Sequence, residues 1–228
     1  MSWFTEMLTS TIGRKLIMAL TGLFLILFLV VHLAGNLQLL FPDGGRAFNI
    51  YSENMGSNPL IRIVSILNFS FILLHIWVSV LLSRQNKKAR PVAYAAENAS
   101  ANSTWSSRNM GILGSLILIF LIVHLRGFWF EFKFGEIPMV SIDGEAYKDT
   151  YSVVTAAYSQ VWYVAVYIVS MIILGFHLHH GFASAFQSLG LNHPKYTPFI
   201  KKLGAAFCIL VPAGFALIPI VLFMKTLL

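Results

Sequence analysis

Gly175-Phe176-His177-Leu178-His179-His180-Gly181-Phe182 places three histidines inside an apolar run long enough to span a membrane. Ionisable side chains are costly there and mark function by default. Imidazole is also the commonest biological metal ligand. Working outward, His32, His75 and His124 each sit inside another long apolar run. Fold and function both turn on what four histidines on four different helices can do together.

The 228 residues are 57% hydrophobic and 11% charged. A soluble domain carries about a quarter charged residues, and here the apolar excess comes in long blocks. The chain therefore reads as one polytopic membrane domain, residues 1–228. Its net charge of +7 sets orientation in the membrane and does not point to nucleic acid. The one cysteine, Cys208, excludes an internal disulfide, a Cys-rich iron–sulfur site and a Cys-x-x-Cys-His haem attachment. The run up to Leu40 is too long for a signal-peptide core and is read as the first span.

Five spans are expected: Arg14–Leu40, Leu60–Ser83, Asn109–Trp129, Val154–Phe186 and Leu203–Phe223. Ahead of them, Met1–Gly13 reads as a short amphipathic piece. Arg46–Pro59 reads as a polar segment, Gln85–Ser107 as an exposed connection, and Gly144 as a turn. Pro212 and Pro219 are expected to kink the fifth span. The Arg14/Lys15 end, the Arg84–Arg108 loop and the Lys195–Lys202 loop are basic, whereas Glu131–Thr150 is net acidic. The positive-inside rule then puts the N-terminus in the cytoplasm and the C-terminus outside.

Helix rise gives the depth of each histidine. His32 lies roughly 27 Å above Arg14 and His124 roughly 24 Å above Arg108. His75 lies only about 13 Å from Arg84, and His177 about 15 Å from Gln187, on the descending spans. The expectation is an outer pair, His32/His124, and an inner pair, His75/His177. Each pair comes from diagonal helices of an antiparallel four-helix bundle. Two imidazoles facing across a bundle are the ligand set of a bis-histidine haem. A small residue about one turn from each histidine (Gly35, Ser79, Gly127, Gly181) suits a flat group lying against the helix. Two ligands per level suit zinc poorly. His180, one turn from His177, can replace it as ligand or bind a quinone or a propionate. Depth and the Gly181 spacing favour His177.

These residues resemble a known family: the five-helix, di-haem cytochrome b subunit that anchors bacterial succinate dehydrogenase or fumarate reductase. The likeness rests on His32-Leu33-x-x-Asn36, His75, His124 and Phe176-His177-x-x-x-Gly181, each in the matching span and order. It extends through Ser184–Gly190 and Asn192-His193-Pro194. It implies two haems b, the distal one on His32 and His124 and the proximal one on His75 and His177. It implies electron transfer with quinone, menaquinone by family type, near the distal haem in the bacterial inner membrane. It also implies a flavoprotein and an iron–sulfur subunit as cytoplasmic partners. A dimer of the whole complex stays open. Quinone chemistry needs protons, which points to Glu53 at the outer edge. Arg84 and Arg108, by depth, suit inner propionates. Gly175 stands where some fumarate reductases have a glutamate used for proton transfer, so that pathway is not expected here.

Two other classes compete. One is a di-haem anchor of another quinone-linked dehydrogenase or hydrogenase. The other is a transporter whose histidines carry protons or metal, for which no inverted repeat is evident.

Overall fold

A computed structural model describes residues 2–89, 101 and 103–228. The chain forms α1 (Trp3–Thr9) and α2 (Thr11–Asn36), which ends in a 3-10 turn (Leu37–Leu40), then α3 (Arg46–Ser57), α4 (Pro59–Lys88) and α5 (Trp105–Arg108). α6 (Met110–His124) continues through a π-helical segment (Leu125–Phe130) into α7 (Glu131–Phe134). A hairpin of β1 (Met139–Ile142) and β2 (Glu145–Lys148) leads to α8 (Thr150–Tyr158), α9 (Val161–Ser188) and α10 (Thr197–Lys225). Among the described residues, five segments are long and apolar enough to cross a membrane: Thr11–Leu40, Pro59–Lys88, Met110–Phe134, Val161–Ser188 and Thr197–Lys225. Outward-facing Leu27, Leu73, Ile119, Ile172 and Leu210 are exposed, as befits a surface that lipid covers. This is an all-α multi-pass membrane protein with one small hairpin.

Local chemistry sets where the elements begin. The Ser10 hydroxyl accepts from Gly13 N at 3.0 Å and starts α2. Asn58 Oδ1 accepts from Leu60 N at 2.9 Å, and Pro59 occupies the first turn of α4. Asp149 Oδ1 accepts from Ser152 N at 3.1 Å and starts α8. Asp143 and Gly144 take φ of 55° and 88°, the left-handed pair that a two-residue hairpin turn requires. They join Ile142 to Glu145.

α2 packs between α4 and α9, and α9 also packs on α6. The order around the bundle is thus α4, α2, α9, α6, with α2 diagonal to α6 and α4 diagonal to α9. Beside the α4–α6 edge, Phe69 of α4 meets Trp129 of the π-helical segment, ring centroids 5.3 Å apart. α10 runs outside this square along α9 and against α2. In lipid such contacts depend on close approach. A Cβ on Gly204 would lie 2.6 Å from the Phe182 ring, and one on Gly214 would lie 2.9 Å from Leu33. The densest core sits at one end, where Leu39, Phe48, Phe128, Val154, Tyr158 and Ile218 are buried together. α3, the hairpin and α8 cap that end.

The cap is held by polar contacts. Buried Asn49 donates from Nδ2 to Asp149 Oδ1 at 3.0 Å. Its Oδ1 accepts from Thr150 Oγ1 at 3.0 Å and from Tyr151 N at 2.8 Å. Arg46 forks onto the Asp143 carboxylate at the hairpin turn, Nη1 to Oδ1 at 2.8 Å.

Several elements differ from the sequence expectation. Arg46–Pro59 is mostly helix, because its apolar residues Phe48 and Tyr51 pack inward against the bundle. The fourth span is not continuous from Val154: the chain is extended at Gln160, which separates α8 from α9. α4 runs on to Lys88, into the connection expected from Gln85 to Ser107, of which 90–100 and 102 lie outside the described residues. The fifth span, by contrast, is present as expected: α10 is a single helix that contains both Pro212 and Pro219.

Candidate functional site

The four histidines lie on the four helices of the square. His32 ends α2's last turns, His124 closes α6, and His75 and His177 sit mid-way along α4 and α9. All four are partly buried.

His32 and His124 meet directly. Their ring centroids are 5.8 Å apart and their planes stand at 89°. His32 stacks on Phe28 at 5.1 Å and is flanked by Phe215 at 5.7 Å. Asn36 Nδ2 donates to the His32 carbonyl at 2.7 Å and lies 3.3 Å from its Nδ1. His124 Nδ1 shares a 3.0 Å hydrogen bond with the hydroxyl of Tyr167. Phe120 and Phe128 close the ring in, at 5.7 and 5.6 Å. The diagonal pairing expected for this level is present.

His75 lies one level away. Its Nδ1 is 3.1 Å from Thr21 Oγ1. The Thr21 hydroxyl donates to the carbonyls of Ile17 and Met18, at 2.8 and 3.1 Å. A hydroxyl has one hydrogen. When that hydrogen is given to the backbone, the Thr21 oxygen is placed to accept from His75 Nδ1–H. In that tautomer Nε2 keeps its lone pair, as a metal ligand must. His177 Nδ1 is buried with no hydrogen-bond partner among the described residues. Thr21 and His32 are 11 residues apart on α2, so the two levels are about 16 Å apart.

Two glycines frame the second level. A Cβ on Gly22 would lie 3.5 Å from His75 Cε1, and one on Gly114 would lie 3.8 Å from His177 Cε1. Each precedes its helix's own histidine by ten residues, as Gly22–His32 and Gly114–His124. That repeated spacing was the signal available in the sequence. The small residues expected next to the histidines behave differently. The Tyr51 ring fills the space beside Gly35, and the Tyr163 hydroxyl fills that beside Gly127. Only Gly181 of the three glycines faces open space.

The other candidates are less closely placed. His180 is half-buried, and His179 turns away into a groove shared with Phe176, Cys208 and Pro212. Glu53 sits half-buried on α3 at the capped end, and no hydrogen bond among the described residues joins it to His32 or His124. Tyr51, two residues earlier, is the part of α3 that reaches α2. Arg84 is exposed near the end of α4. Arg108 donates to the carbonyl and hydroxyl of Ser103. Gly175 faces α10, where a Cβ would lie 3.1 Å from the Cys208 carbonyl oxygen, so a longer side chain there would displace that helix. Asn68 was not foreseen. It is buried, its Oδ1 has no partner among the described residues, and it lies two turns from His75 toward the other level.

The donor set suits a flat metal complex gripped by two imidazoles at each level. Among the described residues no three His, Cys, Asp or Glu side chains gather to hold a bare ion, whereas a porphyrin supplies the remaining ligands itself. Comparison with protein-family models, with curated proteins and with solved structures finds no match to this chain.

Proposed function

We propose that this chain is the di-haem cytochrome b subunit and membrane anchor of a succinate:quinone oxidoreductase. The observation that carries the proposal is the pair of diagonal histidine pairs at two levels, with the Thr21 oxygen placed to accept from His75 Nδ1 and so to leave Nε2 for a ligand bond. His32 and His124 would hold one haem b, His75 and His177 the other. A haem b held at each level would supply one-electron chemistry.

The protein's own groups do the rest. Phe28, Phe120, Phe128 and Phe215 exclude water around the His32/His124 level. Thr21, Asn36 and Tyr167 orient the rings. Basic residues Arg84, Lys87, Lys88, Lys201 and Lys202 put the uncapped end in the cytoplasm. There it docks the iron–sulfur and flavoprotein subunits, which carry the succinate–fumarate chemistry. The capped end lies outside, where Glu53 exchanges protons with a quinone, menaquinone by family type.

The test is a pyridine haemochrome count and a reduced-minus-oxidised spectrum of the purified protein, with each of the four histidines changed singly to alanine. Two haems b per chain are expected, with His32→Ala and His124→Ala removing one and His75→Ala and His177→Ala the other. A wild-type protein without haem would sink the proposal and leave the transporter class.

A further inference from the structure

The two levels hold their histidines differently. At the His75 level the partner is an aliphatic hydroxyl that also lies within reach of two carbonyls of its own helix. At the His32/His124 level the partner of His124 is a phenol, Tyr167, which is 4% exposed. Behind it stands Tyr163, 7% exposed, with its hydroxyl 3.4 Å from that of Tyr167. Tyr158 adds an edge-on ring at 5.1 Å. Buried phenols in an apolar bundle need hydrogen-bond partners. Among the described residues, the partners of the Tyr167 phenol are His124, Tyr163 and Tyr158.

We propose that Tyr167 is the positioning residue for this level: its phenol oxygen accepts the Nδ1 proton of His124 and holds that ring perpendicular to His32, with Tyr163 as the next hydrogen-bond partner in line. The inference rests on the two-haem reading above. Ligation through Nε2 requires the proton on Nδ1. The Tyr167 oxygen therefore accepts from His124, which leaves its own hydrogen for the neighbouring phenols, Tyr163 in line behind it and Tyr158 beside it. Acceptance of the Nδ1 proton makes the imidazole a stronger donor. The arrangement also fixes ring rotation. His32 is set by its stack on Phe28, and His124 by the Tyr167 bond, which together give the 89° angle between planes.

Gly127 belongs to the same device. It follows His124 by three residues in the π-helical segment, and the Tyr163 hydroxyl occupies the place of its missing side chain. The glycine is required there because any larger residue would push Tyr163 off its partner. Its space is therefore filled by the hydrogen-bonded line behind the histidine.

The experiment uses the full-length haem-loaded protein, with Tyr167→Phe and Tyr163→Phe. Each haem is followed by potentiometric titration and by the low-temperature electron paramagnetic resonance of its ferric form, whose g values report the angle between the two imidazole planes. In Tyr167→Phe two haems remain. The haem of His32 and His124 shifts to a higher midpoint potential, because a less basic ligand stabilises ferric iron less, and its largest g value moves. The other haem is unchanged. Tyr163→Phe moves the same signals in the same direction by less. Wild-type values for both haems in Tyr167→Phe would overturn the inference while leaving the two-haem reading intact. If Tyr167→Phe fails to assemble that haem, Tyr163→Phe decides, since it leaves Tyr167 and His124 in place: a shift supports the inference and none overturns it. A wild type without haem removes both readings.

Discussion

At the residue scale, one hydroxyl carries unusual weight. Thr21 is 3% exposed and ends a hydrogen-bond line from the α2 backbone to His75. Thr21→Val keeps the shape of the side chain and removes the acceptor. A buried Nδ1–H is then left unpaired, a loss of about 1–3 kcal/mol. On the proposed two-haem reading, the expected outcome is a weaker hold on the haem of His75 and His177 alone, roughly 10- to 100-fold by the behaviour of such outer partners. Haem retention during dilution, read separately for each haem, checks it. Equal loss from both levels would show that Thr21 acts only through bundle stability. Nothing in the sequence singled out Thr21, because a threonine in an apolar span ordinarily bonds its own helix.

At the element scale, the π-helical segment and the cap matter most. Leu125–Phe130 winds wider than an α-helix directly after His124. Such segments gather at functional sites, and this one carries Gly127 and Phe128 to the Tyr163 and His124 side of the bundle. The hydropathy pattern of an apolar run is blind to it. The cap is pinned at its tip by Arg46 on Asp143. The guanidinium, through its hydrogen bond and its charge, holds the Asp143 carboxyl below the usual carboxylate range. A depressed folded value means the contact stabilises the cap above that range and is lost as the pH falls through it. Both groups are exposed, so the effect is local and screened by salt. The expected result is faster hydrogen exchange of the β1–β2 amides below about pH 4 than at pH 7, beyond the ordinary pH dependence of exchange. Asp143→Asn should remove that difference. An unchanged acid response in the variant would assign it to another group.

At the scale of the whole molecule, the architecture separates two ends. One is covered by α3, the hairpin and α8, and the other is fringed with lysine and arginine. Cysteines placed singly at Glu145 and at Lys201, in a chain with Cys208 changed to alanine, test the orientation. A membrane-impermeant thiol reagent applied to intact cells should label the first and miss the second. The reverse pattern would put the basic end outside and overturn the proposal that it docks cytoplasmic subunits. The square order of helices also explains why diagonal histidines pair. α2 and α6 ascend, α4 and α9 descend, and only diagonal members of such a square share direction and face each other across its centre.

What the sequence by itself determined is local and additive. Hydropathy marks the five spans, and a constant rise per residue sorts His32 and His124 from His75 and His177, since both depend only on distance along one helix. The turn at Gly144 was legible for the same reason, because backbone freedom is a property of the residue. What only the tertiary structure decided is contact between distant parts of the chain. Thr21 and His75 are 54 residues apart, and His124 and Tyr167 are 43 apart. The Thr21 contact of His75, the perpendicular rings of His32 and His124, and the filling of Gly35 by Tyr51 and of Gly127 by Tyr163 all arise where one helix face meets another. α3 was missed on similar grounds. Its inward residues, Phe48 and Tyr51, have an apolar surface to cover only once the bundle beneath them exists.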